Sequence, residues 1–299
     1  TIDSKYNPVP MLAEDYEVND NNTVFTFYLR KGVKFHNGKE MTAEDVVASM
    51  NRWKELSGVA SNTFGDAEFV AIDDYTVQIE LDEPSGIAIG VMASNEQFAA
   101  IMPKEVIESA PVEGVTEFIG TGPYQFVEWK QDQYIHYTRY EDYQPVDRQP
   151  DGISGRKVAY IDDVYYYIVT DPSTRLAGLQ SGEYDIAYAL PSDNYDMLMA
   201  AEDIEVQSLY SSNIDLLYNK RGGLMQNPLM RKAVNALLDI DEIMKAALVN
   251  ENIYRLDASY MSIDIEQWAT EVGKEFYNMK DPELAKQLLE ESGYNGEEI

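Results

Sequence analysis

Hydrophobic and polar positions alternate through the early part of the chain. In residues 23–29, Val24, Thr26 and Tyr28 fall on one face and Phe25, Phe27 and Leu29 on the other, the period-two signature of a half-buried strand. Residues 75–81 repeat it, with Val77, Ile79 and Leu81 facing one way. Between them lies an Asn37 and Gly38 turn. Thr42, with Asp45 three residues on, then opens a helix that carries Val46, Val47, Met50 and Trp53 on one side. The apolar run 87–93 reads as buried core, and Pro103 sits in the first turn of a short helix. Residues 123–129 and 133–140 form an expected antiparallel pair, followed by a Pro-, Gly- and charge-rich loop over 142–156 and a further strand over 160–169.

Beyond that strand the period changes from two to that of a helix. Ser173 is expected to cap a helix that carries Leu176 and Leu179 and stops at Gly182. Asn227 and Pro228 open another, Asp239 caps the next, and Asp281 with Pro282 opens the last, which has Gly293 as its stop. No internal repeat or low-complexity tract is present. Strands and helices interleave without a regular βαβα order, so the class expected is mixed α/β, of the α+β kind.

Composition changes the picture in three ways. The 299 residues give a prior of about two domains. Twenty-three Lys and Arg against 53 Asp and Glu leave a formal charge of −30, which argues against nucleic acid or an anionic bilayer as partner, since both need clustered cations. The same charge does not define a ligand, because acidic surfaces commonly serve solubility. Cysteine is absent, so there is no disulfide framework or thiolate site. The first residues carry neither a basic nor an apolar leader segment, and with the abrupt end after a helix and turn the chain is expected to be a piece of a longer one.

Catalytic signatures fail on inspection. With so many acids, close carboxylate pairs arise by chance, so none is nominated as a glycosidase dyad. Two histidines, His36 and His136, without a neighbouring His or Cys give no expected metal site. His136 lies in an alternating strand and reads as packing or surface, whereas His36, in a Gly-flanked loop, is a candidate ligand contact. Gly120, Thr121 and Gly122 start like a dinucleotide fingerprint, but Gln125 replaces the third glycine and a strand follows, not a helix. No cofactor is expected. The Tyr165–Tyr167 run reads as strand packing with both faces covered.

Four groups of segments carry more. They are LAEDYEV (12–18) with FTFYLRKGVKFHNG (25–38) and MTAEDVV (41–47); GTGPYQFVEW (120–129) with RYEDY (139–143); DPSTRLAGLQSGEYDI (171–186); and LYNK (217–220) with MRKAVNALLD (230–239) and DPELAKQLLEESGY (281–294). In this order they resemble the family 5 extracellular solute-binding proteins, which serve ABC importers of oligopeptides, dipeptides and nickel. The resemblance implies a two-lobed periplasmic-binding-protein-like fold (type II, cluster C-like) with the second lobe incomplete. It implies no catalysis: a monomer captures a peptide as its lobes close and hands it to a membrane permease. It also implies a place outside the cytoplasm, lipoprotein-anchored on the membrane or in the periplasm. Residues 1–30 with 116–218 would form the core of lobe I, 31–115 an inserted subdomain and 219–299 the start of lobe II.

Within that frame the ligand-facing candidates are Gly120, Thr121 and Gly122, the crossing-segment residues Asn213, Tyr218 and Asn219, and Asn95, Gln97 and His36. Gly32, Gly38, Thr42 and Asp45 are expected to be structural, as is Arg175, paired with Asp185 or another acid. The family's acidic partner for a peptide amino terminus has no counterpart among the matched segments. Nickel, a metal chelate or a sugar remains an alternative solute, and a carboxylate-dependent glycoside hydrolase a remote one.

Overall fold

The computed structural model describes residues 1–208, 214–266 and 268–297, and the chain divides into two compact units, Thr1–Ile168 and Val169–Ile299. In the first unit β1 (Ala13–Val18) and β2 (Val24–Leu29) are followed by α1 (Ala43–Leu56), α2 (Gly58–Phe64), β3 (Phe69–Asp73) and β4 (Thr76–Glu80). The four strands form one antiparallel sheet in the order β1-β2-β4-β3. Phe25 faces Ile79 and Phe27 faces Val77 across β2 and β4. The apolar face so formed packs with Val46, Met50 and Trp53 of α1 into one core. Trp53, Phe64 and Phe69 continue it as rings with centroids 5.8 Å apart in each successive pair, within the range of favourable tilted aromatic contacts.

The alternation in the sequence thus corresponds to real faces, since Val77, Ile79 and Leu81 are all buried while Tyr28 is exposed. Among the elements of this unit that lie outside the sequence-based expectation are α2 and β3. Each is short, and of the strand only Phe69 is buried, so neither imposes a readable period. β2 and β4 belong to one sheet, although a subdomain boundary was expected at residue 30.

After α3 (Ala88–Ala93) and α4 (Lys104–Ser109), a second antiparallel sheet forms from β5 (Tyr124–Lys130), β6 (Tyr134–Arg139) and β7 (Asp163–Tyr167) in that order. The apolar run 87–93 is a helix with Ala88 and Ala93 buried and Ile87 exposed. His136 of β6 stacks on Tyr165 at 4.1 Å and meets the Asp163 carboxylate at 2.8 Å, so it is a packing residue. Tyr165, Tyr166 and Tyr167 are respectively 45%, 62% and 54% exposed, which corrects the expectation that both faces of this strand are covered. Alternation fixes which face a side chain takes but not whether anything lies over that face.

In the second unit α5 (Pro172–Ser181), α6 (Tyr195–Met199), α7 (Pro228–Leu237), α8 (Ile240–Leu248) and α9 (Pro282–Glu291) carry the structure. Asp171, not Ser173, caps α5, accepting from the Thr174 N–H at 2.7 Å. Pro172 decides this: its fixed φ and missing N–H suit the first helical position, so the residue before it becomes the cap. Gly178 in the same helix lets the Tyr184 ring come close, since a Cβ there would lie 2.3 Å from a ring carbon. Asn227, Asp239 and Asp281 cap α7, α8 and α9. Helices α7 and α9 pack through Met230, Ala233, Ala236 and Ala285. Among the described residues no helix is long and apolar enough to cross a membrane.

Candidate functional site

The segment between β2 and α1 folds back on itself as a tight hairpin. Lys34 bridges to Glu40, the Phe35 N–H donates to Lys39 O at 2.8 Å and the Gly38 N–H to Phe35 O at 2.8 Å. Gly32 and Gly38 have φ of +74° and +84°, values at which a side chain is strained. The hairpin ends at Thr42, whose N–H and hydroxyl both donate to Asp45 Oδ2, at 3.0 and 3.1 Å. Asp45 is fully buried and its other oxygen takes Lys39 Nζ at 2.6 Å and the Lys104 N–H at 2.8 Å. Burial alone would raise this carboxyl. The Lys39 ammonium and the Lys104 and Thr42 N–H groups outweigh it and hold the carboxyl below its ordinary 3.8. These residues tie α1 to the start of α4.

At the hairpin tip His36 is turned to the loop that precedes β5. Its backbone N–H donates to Gly120 O at 2.9 Å, the Gly120 N–H meets ring Nδ1 at 3.2 Å, and ring Nε2 meets Gly122 O at 3.0 Å. Tyr140 braces the ring edge-on at 5.0 Å while its hydroxyl donates to Phe35 O at 2.8 Å. Both ring nitrogens are therefore occupied, and the His36 side chain has no polar atom left for a ligand. Burial lowers its pKa below the ordinary 6.5, with the Gly122 carbonyl opposing. Thr121, held between two pinned glycines, is half-exposed, and its N–H, C=O and hydroxyl have no hydrogen bond among the described residues. The loop is a turn pinned through Gly120 and Gly122, and it leaves the backbone of Thr121 uncommitted. Tyr140 is not among the sequence candidates, although it ends the expected strand over 133–140 and lies in the RYEDY segment (139–143).

The other candidates of this unit are elsewhere. Gln97 is tied down, its carbonyl accepting from Trp53 Nε1 at 2.5 Å and its side-chain oxygen from Ser57 Oγ at 2.7 Å. Asn95 lies beside it, and both line an open groove of about 590 Å³ with Arg52, Trp53 and Phe98.

In the second unit the Tyr218 hydroxyl donates to Asn235 Oδ1 at 2.6 Å, and burial raises its pKa. The pair lines a cavity of about 530 Å³ that also has Tyr254, Asp257 and Tyr277 in its wall. Asn235 lies on α7, in the segment 230–239 that the sequence presents only as a helix and a family match, with nothing to single out this residue. Asn219 closes a local turn by accepting from the Arg221 N–H at 3.1 Å. Asn213 lies outside the described residues. Arg175 does not pair with Asp185: its guanidinium donates to the carbonyls of Val169, Thr170 and Ala189 at 2.7, 3.1 and 2.8 Å. A guanidinium fork matches such a curl of carbonyls as well as a carboxylate. Among the described residues no group of three or more metal-ligating side chains is placed to hold an ion.

The sequence profile of the bacterial extracellular solute-binding proteins, family 5 (Middle), matches residues 7–299. A probable peptide ABC transporter periplasmic-binding protein, y4tO of Sinorhizobium fredii, is 32% identical over 308 residues, covering 100% of this chain and 57% of that protein. Among solved structures, the oligopeptide-binding protein AppA of Bacillus subtilis, in complex with a nonapeptide, superposes with a TM-score of 0.74. It has 26% identity and the match covers 100% of this chain and 58% of AppA. NikA of Brucella suis, in complex with Fe(III)-EDTA, shares the fold at a TM-score of 0.73 with 20% identity, over 98% of this chain and 58% of NikA. The chain thus spans somewhat more than half the length of the proteins it matches.

Proposed function

The chain belongs to the bacterial extracellular solute-binding proteins, family 5, a family of binding proteins and not of enzymes, and from that premise we propose that it is the peptide-capturing part of an ABC importer. The observation that carries the peptide reading is the match over 100% of the chain to a relative holding a nonapeptide. The geometry agrees with it. A peptide in extended form offers a regular row of N–H and C=O groups, and Thr121 supplies an uncommitted N–H and C=O on a turn fixed at both flanks. Donors fixed before binding cost little ordering entropy when the ligand arrives. Recognition through backbone groups leaves ligand side chains to wet pockets, where bridging water adapts to different residues. Capture works by population shift: the peptide bridges the lobes, stabilises the closed form and is presented to a membrane permease. The protein acts as a monomer on the outer side of the cytoplasmic membrane.

Native mass spectrometry of the protein incubated with a mixture of di- to nonapeptides tests this directly. One peptide per chain, drawn from many sequences, is the expected result. Binding of a nickel chelate, heme or sugar with every peptide excluded would overturn the peptide reading.

A further inference from the structure

We propose that His36 is a positioning residue, a neutral latch that holds the Gly120–Gly122 turn in its presenting form and lets go of it in acid. The hydrogen bonds fix the state of the ring. An amide N–H can only donate, so Nδ1, which faces the Gly120 N–H at 3.2 Å, must carry its lone pair. A carbonyl can only accept, so Nε2, at 3.0 Å from Gly122 O, must carry the proton. Only the neutral Nε2–H tautomer satisfies both. Adding a proton at Nδ1 sets two donors against each other, and the Gly120 contact breaks. The bond from the His36 backbone N–H to Gly120 O survives, so the turn loosens on one side and does not detach.

The charged groups of the flanking hairpin and strand have partners of their own. On the hairpin, Lys34 pairs with Asp142 at 3.3 Å. Lys39 is held by Asp45 and Glu105, and Glu40 accepts from the Gly32 N–H and the Tyr75 hydroxyl. On the strand side, Arg139 pairs with Glu141 and Asp162, and Tyr140 donates to Phe35 O. Desolvation of the half-buried ring favours the neutral form, and the bond to the Gly122 carbonyl opposes it only in part.

The latch is tested without any ligand. The 299-residue chain has two histidines, so His136→Gln assigns the imidazole signals by elimination. Nitrogen NMR should find His36 in the Nε2–H tautomer at neutral pH and titrating below the ordinary histidine value. Hydrogen-exchange protection of the Gly120 amide should drop roughly tenfold as the ring protonates, the equivalent of one net hydrogen bond. His36→Asn keeps an acceptor at the Nδ1 position but does not titrate, so its Gly120 amide should stay protected across the same range. An Nδ1–H tautomer, a titration at or above the ordinary value, or the same acid loss in His36→Asn would overturn the latch, and the first two need no variant. The consequence for binding rests on the peptide reading. If protection falls in acid while peptide affinity stays constant, the latch stands and the turn is removed from the ligand site.

Discussion

At the scale of single residues, two side chains link this fold to pH, and both act in the same direction. Asp45 has its folded pKa lowered from 3.8. Its stabilisation is complete above that value and is lost as pH falls through the folded one. His36 is lowered from 6.5, so the unfolded chain takes up its proton first. Its share of stability is complete above pH 6.5 and is lost as pH falls below it. Urea unfolding should therefore show stability falling below pH 6.5, with that first loss absent in His36→Asn, and falling again below pH 3.8 as Asp45 takes up its proton. Asp45→Asn places an amide where the Thr42 N–H and hydroxyl both donate. Because Lys39 is itself 37% exposed, and so keeps some solvation, the expected cost is about 2–3 kcal/mol, below that of a fully buried pair. Unchanged stability in Asp45→Asn would show that these bonds contribute nothing net.

At the scale of elements, caps and close contacts set what each helix tolerates. Asp171→Ala removes the acceptor for the Thr174 N–H and should cost about 1 kcal/mol, read as a lower unfolding midpoint. Gly178→Ala should cost about 1–3 kcal/mol, because the new methyl group meets the Tyr184 ring and ring carbons cannot step aside as a flexible chain end can. How much of this was legible in the sequence follows from what each feature depends on. Thr42 with Asp45, and the alternation of Phe25, Phe27 and Leu29, are local patterns and were readable. The place of Asp171 was readable in principle from Pro172. The pairing of His36 with Gly120 joins segments 84 residues apart and that of Tyr218 with Asn235 joins a loop to a helix 17 residues on, and no local period encodes either. Arg175 takes the carbonyls of Val169, Thr170 and Ala189 in place of the expected carboxylate because the curl of the backbone, which residue types do not reveal, presents them.

At the scale of the whole molecule, a formal charge of −30 means that the folded chain works against its own repulsion. Added monovalent salt, which shortens the reach of that repulsion to about 10 Å at 0.1 M, should raise the unfolding temperature. A flat or falling response would mean that local ion pairs such as Lys39 with Asp45 and Glu105 dominate over the net charge. The acidity thus concerns solubility and stability, while the solute is read from the family fold and from the uncommitted backbone of Thr121. The most direct measurement of that reading is a calorimetric titration of the protein with peptides of one length and varied side chains, set beside a nickel chelate. Saturable one-to-one binding of the peptides, with affinities within about tenfold of one another, is the predicted result. Saturable binding of the chelate with no heat from any peptide would contradict it.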